Sequence, residues 1–219
     1  MKCSFLQQSI KTMGFVVEHN VIKPDPVKID MLTKARAPAS VQELQSFLGL
    51  VQFYRNMLPH LAHVAYPLYS ATSENYDFQW TDKLEKAFQL IKMMIGKEIL
   101  QTNLEGEDNI KALVDASRNA VCIILLQRGK IVFCASKVLN LAQQNWATIE
   151  RELFAVTWGC KKTRCFIYGI KFEVYTDISL LLVSSTTVVR YRIVECNKCS
   201  WLPQSMILPF SICQVHETL

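Results

Sequence analysis

Alternating apolar and polar positions predict a small strand element at the start of the chain. Residues 5–18 read as extended chain, and residues 13–17 carry the strongest strand signal. After a turn, residues 21–22 return as a short partner strand. Pro24 and Pro26 close this element, because proline has no backbone N–H to donate to a sheet.

A change of period, from two to between three and four residues, predicts helices downstream. Ser40 followed by Glu43 has the form of a capping box at a helix start. Apolar residues then form one stripe at helical spacing: Val41, Leu44, Leu48, Val51, Tyr54 and Leu58. Pro59 ends this helix, a shorter helix is predicted at residues 60–70, and a third starts after Thr81.

Beyond a polar linker at residues 103–109, the pattern changes again. Three strands are predicted, at residues 110–115, 121–127 and 131–136. A long helix covers residues 148–168 until Gly169 stops it, and residues 171–177 alternate as a fourth strand. The predicted fold class is therefore α+β: a strand hairpin with a small helical group, then a mixed α/β sheet with a long helix. No element is predicted after residue 182.

Composition is compatible with a packed protein and excludes little about function. Of the 219 residues, 50% are hydrophobic and 20% are charged, which favours a packed core over disorder. The net charge of +5 permits nucleic-acid binding without demonstrating it. No segment has the roughly 18 consecutive apolar residues of a membrane span, and no secretory signal is visible. We expect an intracellular protein, cytoplasmic or nuclear, with no membrane partner.

Three carboxylates lie where their residue types are unusual. Asp115 and Asp177 each end a predicted strand, although aspartate is disfavoured in strands, and Glu152 lies on the buried face of the long helix. Taken singly, each is better explained as a turn or boundary carboxylate. Together, in strand–helix–strand order, they favour a site for Mg²⁺ or Mn²⁺, which prefer oxygen ligands. Two such ions support in-line attack on a phosphodiester.

The motifs around these carboxylates resemble a known family. Similarity to the ribonuclease H domain of Ty3/gypsy-type retrotransposon pol polyproteins lies in residues 114–117 (Val-Asp-Ala-Ser), 135–139, 148–156 (with Glu-Arg-Glu-Leu-Phe), 168–172 and 174–177 (Val-Tyr-Thr-Asp). The resemblance implies that Asp115, Glu152 and Asp177 are catalytic residues that bind Mg²⁺ or Mn²⁺. It also implies an RNA–DNA hybrid, or another nucleic acid, as the partner.

Upstream motifs resemble the end of a reverse transcriptase of the same family. Met13-Gly14-Phe15-Val16, followed by residues 22–26, is similar to the primer-grip hairpin of the palm, and residues 46–55 are similar to the thumb. The resemblance implies four regions in order: the palm end at 1–36, thumb and connection at 37–102, an incomplete ribonuclease H domain at 108–182, and an unassigned tail at 183–219.

The chain departs from the family pattern in three places. No Asp-Asp dipeptide occurs, so DNA synthesis is not expected of this chain. After Asp177 the family usually shows His-x-Pro-Leu, whereas residues 178–181 are Ile-Ser-Leu-Leu. No aspartate follows Asp177, so the family's fourth metal-binding residue has no counterpart. Cleavage is therefore expected to be impaired.

Nucleic-acid contacts are implied at Met13 and Gly14, in the primer-grip motif, and at Lys161, Lys162 and Arg164, near the end of the long helix. A solvated helix end that favours cations explains the same basic residues. Trp146 and Trp158 are better explained by packing than by base stacking.

The tail has a second metal-binding pattern, with zinc-like pair spacing: Cys196, Cys199, Cys213 and His216. Because no element is predicted around these four residues, we favour an incidental arrangement.

Three functional hypotheses remain open from sequence. The chain is a nuclease that cleaves the RNA strand of RNA–DNA hybrids, an inactive remnant that binds nucleic acid weakly, or a protein-interaction module built on the thumb-like helices. The sequence does not fix the oligomeric state.

Overall fold

The computed structural model describes residues 7–19, 21–73, 78–97, 101–106, 109–176 and, by backbone alone, 189–193. Asp177 and most of the tail therefore lie outside the described residues. The elements of the first part are β1 (Ser9–Thr12), β2 (Phe15–Glu18), β3 (Val21–Pro24), α1 (Pro26–Thr33), α2 (Val41–Phe53), a 3-10 helix (Arg55–Met57), α3 (Leu61–Ser70) and α4 (Asp82–Gly96). The second part contains β4 (Gln101–Thr102), β5 (Ile110–Ala116), β6 (Ala120–Gln127), β7 (Lys130–Val138), α5 (Leu141–Gln144), α6 (Thr148–Ile167), β8 (Phe172–Thr176) and β9 (Val189–Ile193).

The first sheet is an antiparallel ladder in the order β1-β2-β3-β4. Met13 and Gly14 form the loop between β1 and β2 rather than part of a continuous strand. Both have positive φ, 47° and 80°, which suits a two-residue hairpin loop because its twist matches that of the strands. The predicted return of residues 21–22 is confirmed, since Val21 pairs with Glu18 across the second turn.

Helix α2 begins as predicted and ends earlier than predicted. Ser40 Oγ accepts a hydrogen bond from the Glu43 N–H at 3.2 Å, and the Glu43 carboxylate accepts one from the Ala39 N–H at 2.8 Å. The helix stops at Phe53, and a 3-10 helix continues to Met57. The Tyr54 hydroxyl at this break donates to the Gly14 carbonyl at 3.3 Å, so a tertiary contact holds the chain there.

Helices α3, α4 and α6 match the predicted segments, whereas α1 and α5 were not predicted. Both missed helices have a side-chain cap that the sequence shows. Asp25 Oδ1 accepts from the Val27 N–H at 3.1 Å, with Pro26 as the first helical residue. Asn140 caps α5 through the N–H of Gln143. No helix in the described part of the chain has the length and apolarity needed to cross a membrane.

The second sheet has the order β7-β6-β5-β8-β9 and confirms the predicted mixed α/β class. Strands β5 and β8 are parallel, and the other neighbours are antiparallel. Strand β9 corrects the prediction of no element after residue 182. It pairs with β8 from Phe172↔Ile193 to Thr176↔Val189, so its backbone is ordered by a neighbouring strand rather than by a local pattern.

Both faces of this sheet are covered at β6. On one face, α6 packs through Ala155, Val156 and Cys160 against apolar residues of β5 and β6. On the other face, the 3-10 helix and α3 bind the sheet through polar contacts as well. The Ala62 N–H donates to Ser136 Oγ at 2.9 Å, and the Cys134 thiol donates to the Asn56 carbonyl at 3.1 Å.

Gly159 sets how closely α6 approaches the sheet. A Cβ added there would lie 2.8 Å from Ile123 Cδ1 and 3.1 Å from Ile123 Cβ, and Ile123 is fully buried. Gly49, in α2, is exposed and would place its Cβ in open space.

These two glycines give a matched pair of substitutions. We expect Gly159→Ala to lower the free energy of unfolding by about 1–2 kcal/mol, because overpacking outweighs the gain in helix propensity. Gly49→Ala should raise it by about 0.5–1 kcal/mol. Urea denaturation followed by circular dichroism measures both, and equal effects would contradict the close packing of α6.

Candidate functional site

Asp115 lies at the end of β5, on the face of the sheet covered by α3. Its side chain is 43% exposed, and its Oδ2 atom lies 3.6 Å from His60 Nδ1 and 3.7 Å from His63 Nδ1. Asp115 pairs with Cys122 on β6, and Cys122 Sγ lies 3.1 Å from His60 Nδ1. The carboxylate therefore lies in a mixed environment of imidazole nitrogen, sulfur and solvent.

Glu152 is buried, as the helical spacing predicts. Only 7% of the residue is exposed, and the Thr176 hydroxyl donates to its Oε2 at 3.4 Å. Thr176 is the last residue of β8, which runs parallel to β5. Glu152 therefore comes from the α6 side to the same end of the sheet that carries Asp115.

Asp177 lies outside the described residues. Strand β8 ends one residue before it, in the register Leu113↔Tyr175 with β5. The cluster of all three carboxylates therefore stays a prediction.

The pKa of the Cys122 thiol depends on the charges of both Asp115 and Glu152. This pKa is raised from 9.0 to about 12, mainly by burial and to a smaller extent by the negative charges of Asp115 and Glu152. A hydrogen bond from the backbone of Asp115 opposes them. Asp115 and Glu152 are thus close enough to act on the same group.

The two histidines beside Asp115 were missed in the sequence. His60 precedes α3 in a left-handed conformation, with φ of 55°, and His63 lies in its first turn. Burial, with a smaller effect of His63, lowers the pKa of His60, and Asp115 opposes this change. The three-residue spacing of the histidines was visible, yet nothing local indicates that they meet Asp115.

A groove of about 840 Å³ runs beside the edge of β7, between α2 and α6. It is lined by three basic residues, Arg55, Lys137 and Lys162, and none of the described residues lining it is acidic. Trp158 also lines it. Of the predicted basic cluster, Lys162 faces this groove, while Arg164 packs over the Tyr168 ring at 5.3 Å and Lys161 is exposed.

Met13 and Gly14 belong to a different surface. The Met13 side chain is 85% exposed at the tip of the hairpin. The Gly14 carbonyl accepts hydrogen bonds from the Asp25 N–H and the Tyr54 hydroxyl, which fixes the hairpin to α1 and α2. Their predicted contact with nucleic acid stays a prediction.

The donor chemistry at the end of β5 fits a divalent cation. Asp115 and Glu152 provide carboxylate oxygens, which suit Mg²⁺ and Mn²⁺. A cluster of one aspartate and two histidines, His60, His63 and Asp115, has ligand atoms within 4.8 Å of one another. The identity of the ion is therefore not set by the carboxylates alone.

Comparison with protein families places the second sheet in a known group. Residues 107–193 match the RNase H-like domain found in reverse transcriptase. The match includes β9 and extends beyond Leu182, where the motif resemblance ended.

Comparison with curated proteins finds retrotransposon polyproteins. The chain is 31% identical over 178 residues to the retrovirus-related Pol polyprotein from transposon 297 and 27% identical over 189 residues to that from transposon gypsy, both of Drosophila melanogaster. Each match covers 80% of this chain and 17% or 18% of the relative. The chain thus spans less than a fifth of the length of these relatives.

Solved structures show the same likeness in three dimensions. The foamy viral protease-reverse transcriptase in complex with RNA/DNA hybrid is 25% identical with a TM-score of 0.62, covering 77% of this chain and 24% of that one. A related structure with double-stranded DNA is 26% identical with a TM-score of 0.61, covering 77% and 31%. The motif-based recognition is confirmed.

The environment of Cys122 leads to a chemical prediction. Raising the pKa from 9.0 to about 12 lowers the thiolate fraction at pH 8 about 1000-fold, and burial limits access further. In the folded chain, iodoacetamide should modify exposed Cys165 and leave Cys122 unmodified.

Mass spectrometry of proteolytic peptides measures the modification, and denatured protein is the control in which both react. Equal rates in the folded chain would contradict the buried site.

Because the folded-state pKa lies above the unfolded value, this thiol's contribution to stability is present below pH 9 and lost as pH rises toward 12.

Proposed function

Because the chain belongs to the Ty3/gypsy-type retrotransposon pol polyproteins, with a reverse-transcriptase RNase H-like domain at residues 107–193, we propose that it binds RNA–DNA hybrids. In this proposal, the end of β5 is the remainder of a metal-dependent ribonuclease site with very weak or absent cleavage. The cationic groove beside β7 carries the proposal. An intracellular location, cytoplasmic or nuclear, belongs to the same proposal.

The groove has the charge that a phosphate backbone requires. Three cations without an acidic neighbour among the described lining residues create a positive surface, and such surfaces dominate nucleic-acid affinity. Lys137 also lies over the Phe154 ring at 5.4 Å, which holds its ammonium group in place. The solved relative bound to RNA/DNA hybrid supports this class of ligand.

The groove lies next to the carboxylates. Asp115, Cys122 and Ser136 are cross-strand neighbours in one row, and Ser136 lines the groove. Adjacent strands are about 4.8 Å apart, so the row spans about 10 Å. The half-exposed Asp115 therefore lies about 10 Å from the groove, with the buried Cys122 between them.

The carboxylates would act through their oxygens. Asp115, half exposed, and Glu152, buried and oriented by Thr176, would hold the ion, with Asp177 as the proposed third ligand. When bound, Mg²⁺ or Mn²⁺ lowers the pKa of a water and stabilises a leaving oxygen. Burial restricts the Glu152 carboxylate, and the Thr176 hydroxyl donates to it over a long 3.4 Å contact.

Contacts of Asp115 favour weak cleavage. Its Oδ2 atom lies within 3.7 Å of two imidazole nitrogens, which makes a mixed nitrogen and oxygen donor set where Mg²⁺ prefers oxygen ligands alone. Hybrid binding with complete loss of cleavage is therefore the limiting case of this proposal. Among the described residues, no specific contact favours the alternative of a protein-interaction module.

Removal of two groove lysines tests hybrid binding. The double variant Lys137→Ala/Lys162→Ala should bind a labelled RNA–DNA hybrid more weakly, because two phosphate contacts are lost. The negative slope of log affinity against log salt concentration should decrease in magnitude by about 2.

Fluorescence anisotropy at several salt concentrations gives this slope. Lys83→Ala/Lys86→Ala, on exposed positions of α4 outside the groove, is the control with the same charge change. An unchanged slope in the groove variant, or an equal change in the control, would refute the groove as the binding surface.

Incubation of the hybrid with Mg²⁺ or Mn²⁺ tests cleavage. We expect very weak or absent hydrolysis of the RNA strand. Asp115→Asn should abolish any hydrolysis that remains, because a metal ligand is lost. Gel electrophoresis of the labelled RNA measures the products. Robust cleavage that disappears in the variant would show that the histidine contacts do not impair the site, and equal cleavage by both proteins would indicate a contaminating nuclease.

A further inference from the structure

His60, His63 and Asp115 have the spacing of ligands around one metal ion. In a tetrahedral zinc site the ligand atoms lie about 3.4 Å apart, given metal–ligand distances near 2.1 Å. Asp115 Oδ2 lies 3.6 Å from His60 Nδ1 and 3.7 Å from His63 Nδ1. One ligand atom from each residue lies within 4.8 Å of the others. Shifts of a few tenths of an ångström would therefore bring two of the three ligand-to-ligand distances to the tetrahedral value.

A backbone carbonyl orients one of the imidazoles for metal binding. His63 Nε2 lies 2.8 Å from the Ala120 carbonyl oxygen, which can only accept a hydrogen bond. Nε2 must therefore carry the hydrogen, and in the neutral ring the Nδ1 lone pair faces Asp115. Metal-binding histidines commonly have their second nitrogen held in this way. This contact is independent of the distances within the cluster.

We propose that His60, His63 and Asp115 form a binding site for a zinc-class transition-metal ion. Two imidazoles and one carboxylate suit Zn²⁺ better than Mg²⁺, which prefers an all-oxygen shell. His60 and Asp115 are both 43% exposed, so an ion can enter from solvent and keep a water ligand.

The bound ion connects two parts of the fold. His60 and His63 belong to the start of α3, and Asp115 belongs to β5. The ion also occupies the oxygen that the proposed nuclease site needs. Zinc should therefore inhibit cleavage, a consequence that rests on the proposed function, whereas zinc binding itself does not.

Calorimetric titration of the metal-free 219-residue chain with Zn²⁺ tests the site directly. The titration is done in a Cys196→Ser/Cys199→Ser background, so that the cysteine pair of the tail cannot contribute. We expect one ion per chain in this background. Adding His60→Asn/His63→Asn, or Asp115→Asn alone, should weaken binding at least about 100-fold, because loss of a ligand exceeds the effect of losing an outer partner.

Two controls separate ligand loss from misfolding. His19→Asn removes an exposed histidine that follows β2, and it should bind as the background does. Asp115→Asn changes a half-exposed side chain and keeps its shape, and its circular dichroism spectrum should match the background. Absence of zinc binding in the background, or unchanged affinity in the histidine and aspartate variants, would overturn the proposal.

Substitution with Co²⁺ identifies the donor atoms. Nitrogen and oxygen ligands give visible d–d absorption without an intense thiolate charge-transfer band. The wild-type chain could instead show such a band, and Cys196→Ser/Cys199→Ser could remove both the band and the bound cobalt. That result would assign the metal to the tail and overturn the proposal. Visible bands that are lost in His60→Asn/His63→Asn support it.

A hybrid-binding measurement keeps the two proposals apart. If the chain binds the hybrid but does not bind zinc, only the proposed metal site is contradicted. If the chain binds zinc but does not bind the hybrid, only the proposed function is contradicted.

Discussion

The two-sided burial of β6 is the constraint on which the rest of the structure depends. From Ala120 to Leu125 every residue of this strand is buried, so each face of the sheet requires a cover. Helix α6 provides one cover, at a distance that Gly159 permits, and the segment from the 3-10 helix into α3 provides the other. Each cover also brings polar side chains to the same end of the sheet. Glu152 arrives with α6, and His60 and His63 arrive with α3, so the packing that stabilises the sheet also assembles its chemistry.

Periodicity predicted which residues are buried better than it predicted the backbone that buries them. The stripe assigned to one helix ended at Tyr54 and Leu58, and both are buried, at 2% and 1% exposure. The backbone there is nevertheless broken into a 3-10 helix, and Tyr54 at the break donates a hydrogen bond to the distant Gly14 carbonyl. Strand β9 was beyond prediction for a related reason. Its hydrogen bonds are made with β8, and an edge strand can order a segment that has little pattern of its own.

The candidate site was predictable only where its geometry is local. The burial of Glu152 follows from its place three residues after Ile149 and four before Val156, on the inner face of one helix. The contacts of Asp115 with His60 and His63 depend on how α3 packs against the sheet, and no short-range pattern contains that information. The proximity of Asp177 to Asp115 stays an inference from the parallel register of β5 and β8.

Asp115 therefore lies between two kinds of metal chemistry. With Glu152 it would form the proposed set of hard oxygen ligands, and with His60 and His63 it would form the proposed mixed nitrogen and oxygen set. One Oδ2 atom faces both imidazoles, so an ion held by the histidines reduces the negative charge available to an ion beside Glu152. Zinc-class ions bind mixed nitrogen and oxygen sites more tightly than Mn²⁺ does, so affinity favours the histidine set. The docking of α3, which a two-sided sheet requires, thereby brings two imidazole nitrogens to the carboxylate of Asp115.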